Sequence, residues 1–358
     1  MDIEAFARAC VAGRNLRDEP DFPRDVWRAM GDAGLFRIGL DPAYGGSGGG
    51  YAAIAAAERA LITGGGSPGL GSAFGSHQMV ARYFIERFGD DAQRASWLPR
   101  LASGEVTASV AISEPGAGAH PKLLRTAARR DDSGWVLDGE KAYLTNGPIA
   151  DLFIVFAVTS VEDGRKRYSA FLVPTATPGL ERVAMKDVAA LRPALHCGLR
   201  LDGCRAAGML GAEGRAYETM ALPFRDAEDA VGSSGTAGTF GAVLRRLGAL
   251  GNAASEEDQA ALGEMAGFLA LIEEASGALV ARLDATAAPP GAAMVGIRVL
   301  APLLLARARA MHARLGDGDA VLTRLFEALD VSLGVARVAR LARQARLGGG
   351  LMVEAPGR

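Results

Sequence analysis

The stretch AISEPGAGAHPKLLRT (111–126), followed by EKAYLTNGP (140–148), decides how this chain is read. Neither run suits a helix interior. Pro115 lacks an N–H, and Gly116 and Gly118 release the backbone into turns that a side chain would strain. Ser113 and Thr145 therefore offer hydroxyl groups, beside loosened backbone, at positions where a ligand could be met.

The pattern on either side differs from these runs. DVWRAMGDAGLF (25–36) and YAAIAAAERALI (51–62) space their apolar residues by three and four, which predicts helices. Turns are expected at DPAYGGSGGG (41–50) and TGGGSPGLG (63–71). From about residue 106 the period changes. VTASVAI (106–112), DLFIVFAVT (151–159) and SAFLVPT (169–175) are short runs rich in Val, Ile, Phe and Thr, as strands are. GWVLDGEKAYLTNG (134–147) reads as strand, Asp138-Gly139 turn, strand. From about residue 216 alanine, leucine and arginine return at helical spacing, with a loop at TAAPPGAA (286–293). The expected organisation is a helical segment 1–105, a β-segment 106–207 and a helical segment 216–358.

Composition narrows the class. The 358 residues are 49% hydrophobic and 22% charged, enough to build two or three cores. A net charge of -2 argues against nucleic acid or an anionic membrane as the main partner. The three cysteines, Cys10, Cys197 and Cys204, make neither a disulfide framework nor a zinc motif, and the four histidines are scattered, so no metal is expected. The N-terminus carries acids and no long apolar core, and VLAPLLLARARAM (299–311) is broken by arginines, which points to a cytoplasmic protein with no membrane insertion. GGGSPG (64–69) follows a helix and contains a proline, so it reads as a turn rather than a dinucleotide fingerprint.

Taken together, these residues resemble the acyl-CoA dehydrogenase family. Ser113 to Gly118 matches that family's Thr/Ser-Glu-Pro-Gly-Ala-Gly run, and Tyr143 to Gly147 its aromatic-hydrophobic-Thr-Asn-Gly run, with the separation between the two preserved. PAYGGSG (42–48) and FIERFGDDAQRASWLPRLASGE (84–105) resemble the family as well. The resemblance implies a mixed fold: an N-terminal helical domain, a middle β-barrel or sheet domain and a C-terminal helical bundle. It implies FAD, lined by Ser113, Gly116, Gly118, Tyr143 and Thr145, with Ala119 and His120 on the substrate side. The implied reaction is α,β-dehydrogenation of an acyl thioester on CoA or an acyl-carrier protein, with electrons passed to another protein by a homodimer or homotetramer.

The base is a carboxylate, and two candidates arise. RQARLGGGLMVEAP (343–356) resembles the family's glycine-rich segment before a Glu-x-Pro, which implies Gln344, Gly348 and Gly350 at the cofactor and Glu354 as base, carried on a glycine-rich turn. Glu228, in FRDAEDAVGSSGTAG (224–238), stands where other family members hold their base on a helix. Its neighbours Arg225, Asp226 and Asp229 are expected to keep it hydrated and weakly basic, which favours Glu354. Asp229 stands where the family usually has arginine, and an Arg-x-x-Phe-Gly element has no counterpart between about 240 and 260. Two alternatives remain open: a flavin monooxygenase or oxidase on the same fold, and a degenerate binding or partner subunit without catalysis.

Overall fold

The computed structural model describes residues 1–185, 188–251, 255–286, 291–315, 318–335 and 337–353. The chain opens with helices α1 (Ile3–Cys10), α2 (Arg24–Asp32), α3 (Gly50–Gly65), α4 (Pro68–Met79) and α5 (Asp91–Ser103). Local chemistry sets several of their ends. Ser67 caps α4 by accepting from the Leu70 N–H, and Pro68 needs no partner at the first helical position. Asp90 and Gln93 form a reciprocal capping box on α5. The turn expected over 63–71 contracts to Gly66 and Ser67, because α3 runs through Gly65 and α4 begins at Pro68.

Among the described residues eight strands follow: β1 (Ala108–Ala111), β2 (Ala127–Asp131), β3 (Gly134–Thr145), β4 (Leu152–Glu162), β5 (Arg165–Pro174), β6 (Leu180–Ala184), β7 (His196–Arg205) and β8 (Gly208–Leu210). Their order is β6-β7-β3-β2-β4-β5-β8, with β1 added in parallel to β4. The helical, sheet, helical architecture expected of the sequence is therefore the one observed. The continuous apolar run of β4 has a direct cause: the strand is buried on both faces. Leu152, Ile154 and Phe156 join the helical core, while Phe153, Val155 and Ala157 join a second core inside the β-layer with Phe171 and Leu199.

The Asp138-Gly139 pair is not a hairpin turn. Residues 134–145 form one strand, and the chain reverses earlier, between Asp131 and Gly134. Pairing with β2 on one side and β7 on the other overrides the local turn preference. The conflict survives as a register shift between Leu137 and Gly139 against β7, where Gly139 takes φ +146°.

The C-terminal part contains α6 (Leu222–Leu250), α7 (Glu256–Thr286), α8 (Ala292–Leu315), α9 (Ala320–Gly334) and α10 (Arg337–Val353). Helix α6 is the axis on which the site depends. It packs against α3 and α4 from the N-terminal part and against α7 and α8 beyond it. Half of the expected 286–293 loop, residues 287–290, lies outside the described residues. The expected glycine-rich turn at 347–350 is instead helical, inside α10. Each glycine there costs roughly 1 kcal/mol relative to alanine, which the surrounding Ala, Leu and Arg helix formers outweigh.

Candidate active site

The loop after β1 is held from inside the protein. The Lys141 ammonium, on β3 and almost fully buried, donates to the Ile112 carbonyl at 3.1 Å and to Glu114 Oε1 at 3.0 Å. Glu114 also accepts from the Arg125 and Thr126 amides at 2.6 and 2.9 Å. Burial opposes ionisation of both partners. It pushes the lysine down to about 8, while Lys141, with the Thr126 and Arg125 donors, outweighs it at Glu114 and holds that carboxyl below its usual range. The clamp fixes the Glu114 end of the Glu114–Gly118 turn, whose two termini bond each other backbone to backbone. Gly116 and Gly118 sit at φ +71° and +54°, which explains the two glycines of the opening run.

On the other side, the end of β3 bulges away from β7 between Lys141 and Leu144. Tyr143 takes φ +61° and leaves 64% of its surface exposed. A non-glycine residue held there is uncommon, and it turns the ring outward from the sheet. The Ala142 N–H donates to the Ser113 carbonyl at 2.9 Å, tying the bulge to the loop. Thr145 Oγ1 lies 3.2 Å from His196 Nε2, and the Thr145 carbonyl accepts from Ser109. Asn146, also left-handed, donates to the Ala73 carbonyl of α4 at 2.8 Å.

These elements enclose a cavity of about 320 Å³ between the β-layer and α6. Ser113, Ala119, Tyr143, Thr145 and Glu228 all line it, so the structure brings together five of the residues singled out from the sequence. The Ser113 side chain is half-buried and makes no hydrogen bond to any described residue. Tyr217 lines the same cavity and donates to the Ala119 carbonyl at 3.2 Å.

Other residues fall elsewhere. Gly116 faces a separate cleft with Lys122, Arg125 and Lys166. Gly118 and His120 are exposed on the loop and do not line the cavity. Gln344 lines a smaller cavity with Arg298, Arg340 and Arg343, away from Glu228, while Gly348 and Gly350 lie in the last turns of α10. Glu354 lies outside the described residues.

The setting of Glu228 differs from the expectation of a hydrated charged cluster. Asp229 pairs with Arg298 at 3.0 Å and Arg343 at 3.4 Å, and Asp226 pairs with Arg343. Both aspartates are thus turned to α8 and α10. Glu228, one helical face away, opens into the cavity. Its surface is accessible there, yet the protein crowds round it. That crowding, with the neighbouring Asp229 charge, pushes its carboxyl up to about 7, and water within the cavity tempers the rise.

Two features were missed in the sequence. One is the Glu114–Lys141 clamp. The other is Glu58 on α3, which is only 6% exposed and pushed up to about 8, by burial first and by Glu228 second. Its signal was present: Glu58 shares the spacing of Ile54, Leu61 and Ile62, all buried, so an acid stands on an apolar face.

Comparison with known proteins agrees with this architecture. The acyl-CoA dehydrogenase N-terminal domain matches residues 2–105, and the acyl-CoA dehydrogenase middle domain matches residues 109–204. The chain is similar to the mitochondrial isovaleryl-CoA dehydrogenase of Oryza sativa subsp. japonica, at 33% identity over 248 residues, covering 68% of this chain and 60% of the relative. It is similar to the L-prolyl-[peptidyl-carrier protein] dehydrogenase of Pseudomonas fluorescens, at 35% identity over 202 residues, covering 56% of this chain and 53% of the relative. The matched part thus spans between half and two thirds of these relatives' length. Among solved structures, a glutaryl-CoA dehydrogenase from Mycobacterium smegmatis in complex with FADH2 superposes with a TM-score of 0.81 at 25% identity, covering all of this chain and 95% of that one.

Proposed function

Because the chain belongs to the acyl-CoA dehydrogenase family, we propose that it binds FAD and removes the α-proton and β-hydride of an acyl thioester, with Glu228 as the base. The observation that carries this reading is one cavity lined by Glu228, Ser113, Tyr143 and Thr145. The residues present fit a flavin: an unpartnered Ser113 hydroxyl, a second hydroxyl at Thr145, and a Tyr143 ring held outward by a left-handed backbone all face one space. Relatives described as dehydrogenases of isovaleryl-CoA and of carrier-bound prolyl groups, and a related structure holding FADH2, support the same class.

Bound FAD would supply the hydride acceptor. The chain's own residues do the rest. Glu228, kept less acidic by the protein crowded round it and by the Asp229 charge, takes the α-proton onto its carboxylate. Ser113 and Thr145 would offer hydrogen-bond donors to the bound cofactor, whose reduced form carries more negative charge. Tyr143 packs against the cofactor, and the Glu114–Lys141 clamp keeps Ser113 in position. The apolar walls Val110, Ile112 and Phe224 exclude water from the reacting carbons.

Glu228 is preferred to Glu354 because it shares the cavity with the hydroxyls. The thioester handle is CoA or a carrier protein, and the electrons leave to a partner protein from a homodimer or homotetramer. Segments 1–105, 106–207 and 216–358 act as the helical, β and helical domains of this unit. Anaerobic addition of acyl thioester to the flavin-loaded protein tests the reading. Bleaching of the flavin is expected, with Glu228→Gln retaining flavin and slowing bleaching by about two orders of magnitude or more. A wild-type protein that binds flavin but is never bleached would overturn the dehydrogenase reading and leave the monooxygenase or oxidase and the non-catalytic subunit.

A further inference from the structure

Between Pro223 and Phe240 helix α6 is largely covered, and its exposed positions there form a line. Arg225, Glu228 and Gly232 are exposed, whereas Val231 and every residue from Ser233 to Phe240 are buried. Positions 225, 228 and 232 are spaced by three and four, so they share one face of the helix. A side chain added at Gly232 would meet nothing within 4 Å. Continuing along that face, the next position is Gly235, and there the open line ends. An added Cβ at Gly235 would run into the Glu58 carboxyl, and one at Gly75 of α4 would come within 2.6 Å of the same group. Glu58 therefore fills the gap between two glycines, and Ser76, the residue after Gly75, lines the Glu228 cavity. Glu228 and Gly235 are two helical turns apart, about 10 Å.

Glu58 is more than nine-tenths buried, yet it has no hydrogen-bond or ion-pair partner among the described residues. Glu228 likewise has none, and its charge raises the proton affinity of Glu58. A buried carboxyl without a partner is costly, and small residues on both neighbouring helices make room for it rather than replace it. Such an arrangement suits a ligand that brings its own donor.

We propose that Glu58 is the polar floor of the acyl pocket and selects acyl thioesters whose far end carries a hydrogen-bond donor, an ammonium above all. The inference rests on the proposed function for where the thioester lies. Its chemistry follows from the chain alone: an acyl group reacting at Glu228 extends along Gly232, and its tail arrives at Glu58. An ammonium there would meet a carboxylate, whereas a methyl would leave that acid unpaired.

The test measures binding and chemistry separately. Two acyl-CoA probes of equal length, one ending in an ammonium and one in a methyl, are titrated into the flavin-loaded protein by calorimetry, and the rate of anaerobic flavin bleaching is recorded for each. The wild type should bind the ammonium-ended probe about ten- to a hundredfold tighter, the range for a hydrogen bond to a charged group. Glu58→Gln should shrink this ratio, and Glu58→Leu should reverse it. Gly232→Leu, which leaves Glu58 untouched, should weaken both long probes while a short acyl-CoA still binds. Equal binding of the two probes by the wild type, or ratios unchanged in both Glu58 variants, would overturn the proposal even if the flavin bleaches. Discrimination that follows Glu58 without any bleaching would sink the dehydrogenase reading and leave the pocket floor standing. A protein that binds neither probe overturns both.

Discussion

Glu58→Gln should make the protein more stable, and only above the pH at which an ordinary carboxyl ionises. In the unfolded chain Glu58 titrates near 4.5, and in the folded protein near 8, because burial penalises its charged form. The sign follows from linkage. As pH rises from 4.5 the unfolded chain releases this proton and the folded chain does not, so the unfolded state is favoured until the folded carboxyl also ionises. Stability from the neutral acid is complete below pH 4.5, is lost between 4.5 and about 8, and is constant beyond. That window covers about three and a half decades of proton affinity at about 1.4 kcal/mol each, a ceiling near 5 kcal/mol. Water reaching the carboxyl from the neighbouring cavity reduces it, and about 2–3 kcal/mol is the expected gain of the glutamine variant at pH 9. Each kcal/mol moves the melting temperature by about 2 °C or less in a chain of this length. Melting curves of both proteins from pH 4 to 9 should coincide at the acid end and separate by a few degrees at the alkaline end. Parallel curves across the whole range would show that Glu58 titrates normally and that its unpartnered burial carries no energetic penalty.

Lys141→Met should destabilise the protein by about 3–5 kcal/mol, because it strands the buried Glu114 charge, while Lys141→Met with Glu114→Gln should recover most of the loss in a denaturant titration. Bleaching of the flavin by thioester should rise with pH through about 7 and then level, since Glu228 acts only once its raised carboxyl has ionised; a rate already flat from pH 5 would exclude Glu228 as the base. Glu354→Gln should slow bleaching far less than Glu228→Gln, and the reverse order in stopped-flow absorbance would return the base to the C-terminal segment. Gly69→Ala should cost a few kcal/mol in thermal unfolding, since its Cβ would collide with the Leu191 and Arg192 carbonyls, which are backbone and cannot swing aside.

Much of the site was legible because it is short-range. The turn at Ser113–Gly118 and the bulged strand end at Tyr143–Gly147 depend on glycine freedom, one proline and a few hydroxyls, all written within a handful of adjacent residues. The alternation inside β4 was hidden, because a strand buried on both faces carries no period of two. Asp138-Gly139 misled for the opposite reason: its local preference is real, but strands on both sides outvote it. The choice between Glu228 and Glu354 could not be made from neighbouring charges. In sequence Asp226 and Asp229 put two charged neighbours beside Glu228, and only the packing of α8 and α10 shows that they face another way. Glu58 was readable as an acid on an apolar helical face, whereas the glycines that make space for it come from α4 and α6, far away in the chain.

The arginines that turn those aspartates aside give the C-terminal helices a chemical role beyond packing. Asp226, Glu228 and Asp229 place three acids within four residues, and unscreened they would each raise the proton affinity of the others. Arg298 and Arg343 offset two of the three charges. The field felt at Glu228 is therefore trimmed from a distance by α8 and α10, neither of which places an arginine in its cavity among the described residues. A substitution of Arg343 would register as a weaker acid at Glu228 before it registered as a loosened helix, so these helices tune the group as well as support it.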